Sequence, residues 1–121
     1  MSLTRSFEQD AWSVSENGKT ILTVRETEEN GTITVCLSGA LRSDTEHMFK
    51  DELVALMSVG MNVVLDCGEL EYIASACQDA LLSVQQMADS MGWGSLTLRK
   101  VPPAIFSELK RSNLHELLMI E

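Results

Sequence analysis

A chain of 121 residues, 45% of them hydrophobic, can bury one core but not two, so a single folded domain is expected. Eighteen acidic residues against nine basic ones leave a net charge of −9, which argues against nucleic-acid or anionic-membrane partners; it is ordinary for a chain that stays in solution and also suits encounter with a basic protein surface. Cys36, Cys67 and Cys77 are odd in number and form no CxxC pair, and neither His47 nor His115 has another His or Cys within five positions, so neither a closed disulfide set nor a metal site is expected.

No apolar run approaches the roughly 18 residues that a membrane-crossing helix needs. The start MSLTRSFEQD has no apolar segment suited to secretion, so a cytoplasmic protein without direct membrane insertion is expected. Residues 1–18 are mixed and polar and are assigned as a leader, loose or forming a short extra strand, ahead of a folded domain over 19–121. From Ile21 the pattern alternates, with Ile21, Thr23 and Arg25 on one face and Leu22 and Val24 on the other; Ile33, Val35 and Leu37 resume it after Asn30-Gly31. Two strands meeting at Asn-Gly predict a hairpin.

Ser43 or Asp44 can cap a helix whose stripe is Phe49, Leu53, Leu56 and Met57 and which ends at Gly60. Met61 to Cys67 is a valine-rich apolar run between glycines, as expected for a central strand covered on both faces. Ser75-Ala76-Cys77-Gln78 fits a capping box, in which serine and glutamine side chains each satisfy the other's backbone N–H. A second helix follows, with Cys77, Leu81, Val84, Ala88 and Met91 inward and Gly92 at its end. Ser95 to Arg99 alternates as a strand, Pro102-Pro103 starts a third helix carrying Ile105, Phe106 and Leu109, Asn113 closes it, and Leu117 to Ile120 can add an edge strand. The order ββαβαβα with a last β predicts an α/β fold: a mixed sheet of four to five strands with helices packed on it.

Three stretches carry a family resemblance. Thr34-Val35-Cys36-Leu37-Ser38-Gly39-Ala40-Leu41 is a strand with an L-S-G-A-L exit; Val63 to Ile73 is an apolar strand followed by D-C-G-E-L-E-Y-I; Pro103-Ala104-Ile105 is followed by Ser112-Asn113-Leu114. In this order, from Ile33 to Glu121, they resemble a STAS domain (sulfate transporter and anti-sigma factor antagonist), in particular the bacterial anti-sigma factor antagonists that regulate transcription. The resemblance implies a phospho-acceptor serine at the strand exit, where this chain has Ser75. The family's neighbours of that serine differ here: Ala74 replaces an aspartate, Ala76 a hydroxyl residue and Cys77 a glycine, and Arg42 stands where an acidic residue is frequent.

The resemblance further implies partner binding through Arg42, Ser43, Tyr72, Ala74, Ser75, Ala76, Cys77 and Asp79, with an anti-sigma factor acting as a GHKL-type serine kinase, or other STAS proteins, as the partner. No catalytic activity and no cofactor are expected. Ser75 can equally be a plain helix cap, and Asp79 one turn on would repel a phosphate there. The alternative is a non-phosphorylated structural subunit of a multi-protein assembly, a stress-signalling complex or a lipid-transport ABC system. Tyr72 and Trp93 fit the rim of a core, and Glu69 and Glu71 a solvated loop.

Overall fold

The computed structural model describes residues 3–121. Met1 and Ser2 of the leader lie outside the described residues. The described residues form one sheet of seven strands in sequence order: β1 (Thr4–Phe7), β2 (Ala11–Glu16), β3 (Lys19–Glu29), β4 (Thr32–Leu41), β5 (Asn62–Ile73), β6 (Leu96–Arg99) and β7 (Met119–Ile120). Three helices connect the last four: α1 (Glu46–Ser58), α2 (Ser75–Met91) and α3 (Pro103–Arg111).

The mixed α/β fold is the expected one, but the sheet has seven strands rather than four to five. Two of the additional strands come from Thr4 to Glu16. Asn17 and Gly18, at φ 54° and 76°, make a tight turn that folds β2 back onto β3. Trp12 then pairs with Val24 and Val14 with Leu22, and all four side chains are buried. Asn30 and Gly31, at φ 52° and 82°, turn β3 into β4 in the same way.

From β4 onward the pairings are parallel and each strand adds on the same side of the last. Right-handed crossovers must then lay every helix on one face. The burial pattern agrees. Ile33, Val35 and Leu37, Val63 and Leu65, and Leu96 and Leu98 are buried, whereas Thr34, Cys36, Val64, Asp66 and Thr97 are only half-buried. The expectation that β5 is covered on both faces is therefore wrong; a sheet with helices on one side alone leaves Val64 and Asp66 near solvent.

Phe49, Leu53 and Met57 of α1, Leu81 and Val84 of α2, and Ile105 and Leu109 of α3 fill the space over the sheet. Full burial of each large aliphatic chain contributes about 1.5–3 kcal/mol. Met91, expected inward, is 67% exposed, because α2's stripe leaves the core a turn before the helix ends at Gly92.

Gly39 has a specific reason to be glycine. It sits at φ 101° where the β4–β5 register shifts, and a Cβ there would collide with the Ile21 carbonyl oxygen of β3. Gly39→Ala combines a disfavoured backbone conformation with that collision and should cost at least about 2 kcal/mol. Urea unfolding checks this: the midpoint should fall clearly, and an unchanged midpoint would show that β3 does not approach so closely.

Candidate functional site

Strands β4 and β5 stay paired to their last residues, with Ala40 beside Tyr72 and Leu41 beside Ile73. The chain after each strand therefore leaves at the same rim of the sheet. Ala74 donates its N–H to the Leu41 carbonyl at 2.8 Å, and its own carbonyl accepts from Cys77 and Gln78, both at 3.0 Å. Those bonds make Ala74, extended at φ −71° and ψ 155°, the residue that caps α2.

The capping box does not form. Ser75 is already the first helical residue, and no side chain caps the helix. Gln78 is drawn inward instead: it is 2% exposed, donates Nε2–H to the Ile73 carbonyl at 3.3 Å, and accepts at Oε1 from the Ser112 hydroxyl at 3.2 Å. One buried amide thus joins the end of β5, the first turn of α2 and the residue after α3. Its sequence signal was its place beside Cys77 and Leu81 on the buried stripe, which competes with the cap. The consequence for Ser75 is freedom: its side chain is exposed, and the first-turn N–H groups at Ser75 and Ala76 have no partner within the helix.

The neighbouring rim is formed by Arg42 and a 3-10 turn over Ser43–Thr45. The Arg42 carbonyl accepts from the Thr45 hydroxyl at 2.9 Å, the Thr45 N–H at 3.1 Å and the Cys77 thiol at 3.4 Å. Cys77 therefore ties α2 to the turn. The Arg42 side chain is committed elsewhere, to Asp44 through two bonds of 3.1 and 2.6 Å and to Glu16 at 3.5 Å. Hydrogen bonding to Asp44 holds its guanidinium more firmly protonated than usual. It does not reach for Ser75.

Of the expected contact residues, Ser43, Tyr72, Ser75 and Asp79 are exposed, and Arg42 and Ala76 are half-buried. Arg42, Ser43, Ser75 and Ala76 follow directly on the two strand ends. Ala74 and Cys77 are buried and hold the loop from beneath, so they present no side-chain surface to a partner. Burial, reinforced by Glu46 and Asp44, pushes the Cys77 thiol up to about 12, and burial with Asp66 does the same for Cys67. Both stay neutral thiols at ordinary pH, unsuited to nucleophilic attack or metal binding. Among the described residues, no three His, Cys, Asp or Glu side chains are grouped to hold a metal ion, and no helix is long and apolar enough to cross a membrane.

Gln78→Leu should destabilise the protein by about 1–3 kcal/mol, because the Ile73 carbonyl loses its buried donor. Chemical unfolding measures this; wild-type stability would mean that water replaces the amide.

Comparison with known proteins places this geometry. Residues 23–121 match the family described as "Mlab, STAS domain". No curated protein matches the chain by sequence. Among solved structures, a Thermotoga maritima protein assigned as an anti-sigma factor antagonist is similar, with 18% identity, a TM-score of 0.71, and 80% of this chain and 84% of that one covered. An anti-sigma factor antagonist from Mycobacterium paratuberculosis aligns at 16% identity with a TM-score of 0.68, covering 82% and 84%. The Bacillus protein SpoIIAA, known in phosphorylated and unphosphorylated forms, aligns in its unphosphorylated form at 14% identity with a TM-score of 0.68, covering 81% and 87%. At these identities the likeness is one of fold.

Proposed function

Since the chain belongs to the STAS domain family, we propose that it is a regulatory protein-binding module of the anti-sigma factor antagonist kind, docking through the rim of Arg42, Ser43, Tyr72, Ser75, Ala76 and Asp79. Its partner is an anti-sigma factor, a serine kinase of the GHKL type, and the complex forms in the cytoplasm. The observation that carries this is the exposed Ser75 hydroxyl on the first residue of α2, beside an exposed Tyr72. The module binds and does not catalyse.

Phosphorylation of Ser75 is the switch. A phosphate at this position meets unpartnered first-turn N–H groups and the positive end of the helix dipole, so the free domain accommodates it. An interface formed around a neutral hydroxyl does not accommodate the same dianion, and Asp79 one turn on adds to the repulsion. Arg42 offers no relief while it is paired with Asp44 and Glu16.

A second reading is favoured by a different observation. Ala74 and Ala76 give a kinase nothing polar to recognise beside Ser75, and the matching family is described as "Mlab, STAS domain". On that reading the same rim is a permanent contact of a structural subunit in a larger assembly, such as a lipid-transport ABC system, and Ser75 stays unmodified.

One purification separates the two. Protein captured from its native cytosol should carry phosphate on Ser75 in its unbound fraction and none in the complex. Ser75→Ala should bind as wild type, and Ser75→Asp should bind at least about tenfold more weakly, ~1.4 kcal/mol. Equal affinity for Ser75→Asp, with no phosphate and a stable multi-subunit assembly, favours the structural subunit.

A further inference from the structure

The first three strands form rows across the sheet. Arg5 pairs with Val14 and Val14 with Leu22; Phe7 pairs with Trp12 and Trp12 with Val24. Glu26, two residues further along the same face of β3, begins the next row, where its N–H is donated to the Asp10 carbonyl at 2.8 Å. Arg5 is thus two rows from Glu26, and its side chain spans the row between. Its guanidinium lies 4.0 Å from the Trp12 ring centroid and 4.7 Å from that of Phe7, and its charge acts on Glu26. From the helix layer α1 brings up Glu52, whose carboxyl group hydrogen-bonds to that of Glu26.

Three buried polar atoms of this cluster have no hydrogen-bond partner among the described residues: Nε of Arg5, the indole nitrogen of Trp12 and Oε2 of Glu26. Two are donors and one is an acceptor. Buried polar atoms are seldom left so, and here each lacks what its neighbours hold. Two carboxyl groups can hydrogen-bond to each other only while one of them keeps a proton. The arrangement is therefore that of a protonated Glu26, tied to Glu52 and leaving the donors on β1 and β2 unmet.

We propose that Glu26 is a proton-operated latch: protonated, it holds β3 to α1 through Glu52; ionised, it is repelled by Glu52 and accepts from Arg5 or the Trp12 indole, fastening the hairpin to itself. No ligand takes part, since the unmet atoms are sealed from solvent. The only species exchanged is the proton of Glu26, which passes to water through the cavity of about 360 Å³ that Glu26 and Glu52 both line. Arg5 and Trp12 precede residues 23–121, the part that matches the family, so the latch belongs to this chain's own hairpin. It stands or falls independently of the Ser75 rim.

The pH at which the latch turns over follows from the groups around it. Burial, and after it the neighbouring Glu52, push the Glu26 pKa up to about 8, with Arg5 on β1 acting in the opposite direction. Glu28 on β3 and Glu8 and Asp10 in the β1–β2 turn line the same cavity, and β4 adds only the apolar Ile33. Between the ordinary 4.5 and about 8 the folded state keeps a proton that the unfolded chain lacks. The stability this gives is full below 4.5 and falls as pH rises through about 8. Glu26→Gln should flatten that slope in thermal unfolding.

The test is a pH titration of the carbon-13- and nitrogen-15-labelled full chain, following the Glu26 carboxyl carbon and the indole N–H signals of Trp12 and Trp93. Glu26 should titrate near 8, and the Trp12 signal should shift with the same midpoint while that of Trp93 stays put. Arg5→Gln removes the charge that favours ionised Glu26 and should raise the midpoint by about one unit. Arg5→Lys keeps that charge and should keep the midpoint. Glu52→Gln removes the like charge and should lower the midpoint by about one unit. Glu26→Gln should abolish the Trp12 step. A Glu26 carboxyl that titrates near the ordinary 4.5, a Trp12 signal that does not follow it, or a midpoint that Arg5→Gln or Glu52→Gln leaves unmoved overturns the proposal.

Discussion

The hydrogen bond from the Ala74 N–H to the Leu41 carbonyl, at 2.8 Å, extends the β4–β5 ladder one step past the strands themselves. Everything at the rim follows from it. Two parallel neighbours held together to their ends must release their loops side by side, so Ser43 and Ser75 come together although 32 residues separate them in sequence. The Arg42 carbonyl then locks the arrangement by accepting from both its own turn and the Cys77 thiol. A buried thiol held neutral can make that contact without the desolvation cost of a charge.

The same topology sets what the domain can offer elsewhere. Because all three crossovers fall on one face, the other face of the sheet carries Thr23, Thr34, Cys36, Asp66 and Thr97. Lys100 is paired with Asp66 across it at 3.7 Å, a half-exposed contact of little energetic weight. At the far end Glu8 and Asp10 of the first hairpin, Glu26 and Glu28 of β3 and Glu52 of α1 surround one cavity. A small domain with one helix layer thus has two distinct ends, one around the Ser75 hydroxyl and one around the buried Trp12.

Turn chemistry and strand alternation were legible in the sequence. Asn-Gly at 30–31 demands a tight hairpin, and the alternation from Ile21 to Leu37 assigns inside and outside correctly. Proline at 102–103 and Asn113, at φ 60°, bracket α3 as residue chemistry requires. The misreadings have separate physical causes. For residues 1–18 a loose leader and a short extra strand were both open in the sequence; Trp12 and Val14, alternating with serines, form β2 by pairing with β3. Ser75 and Gln78 have the spacing of a capping box, but a burial site for the amide between Ile73 and Ser112 outweighs it. The apolar run in β5 reads as doubly covered, because valine suits an open sheet face as well as a buried one. The position of Ser75 was therefore visible in advance, whereas the roles of Gln78, Cys77 and Ala74 beneath it depend on contacts across 5 to 35 positions.

The most direct measurement is amide hydrogen exchange on the domain alone and bound to the partner recovered from its native cytosol. Docking through the Ser75 rim requires slowed exchange over residues 42–45 and 72–79, including the unpartnered N–H groups at the start of α2. Protection confined to the open sheet face or to α3, with the α2 start exchanging as in the free protein, would contradict it.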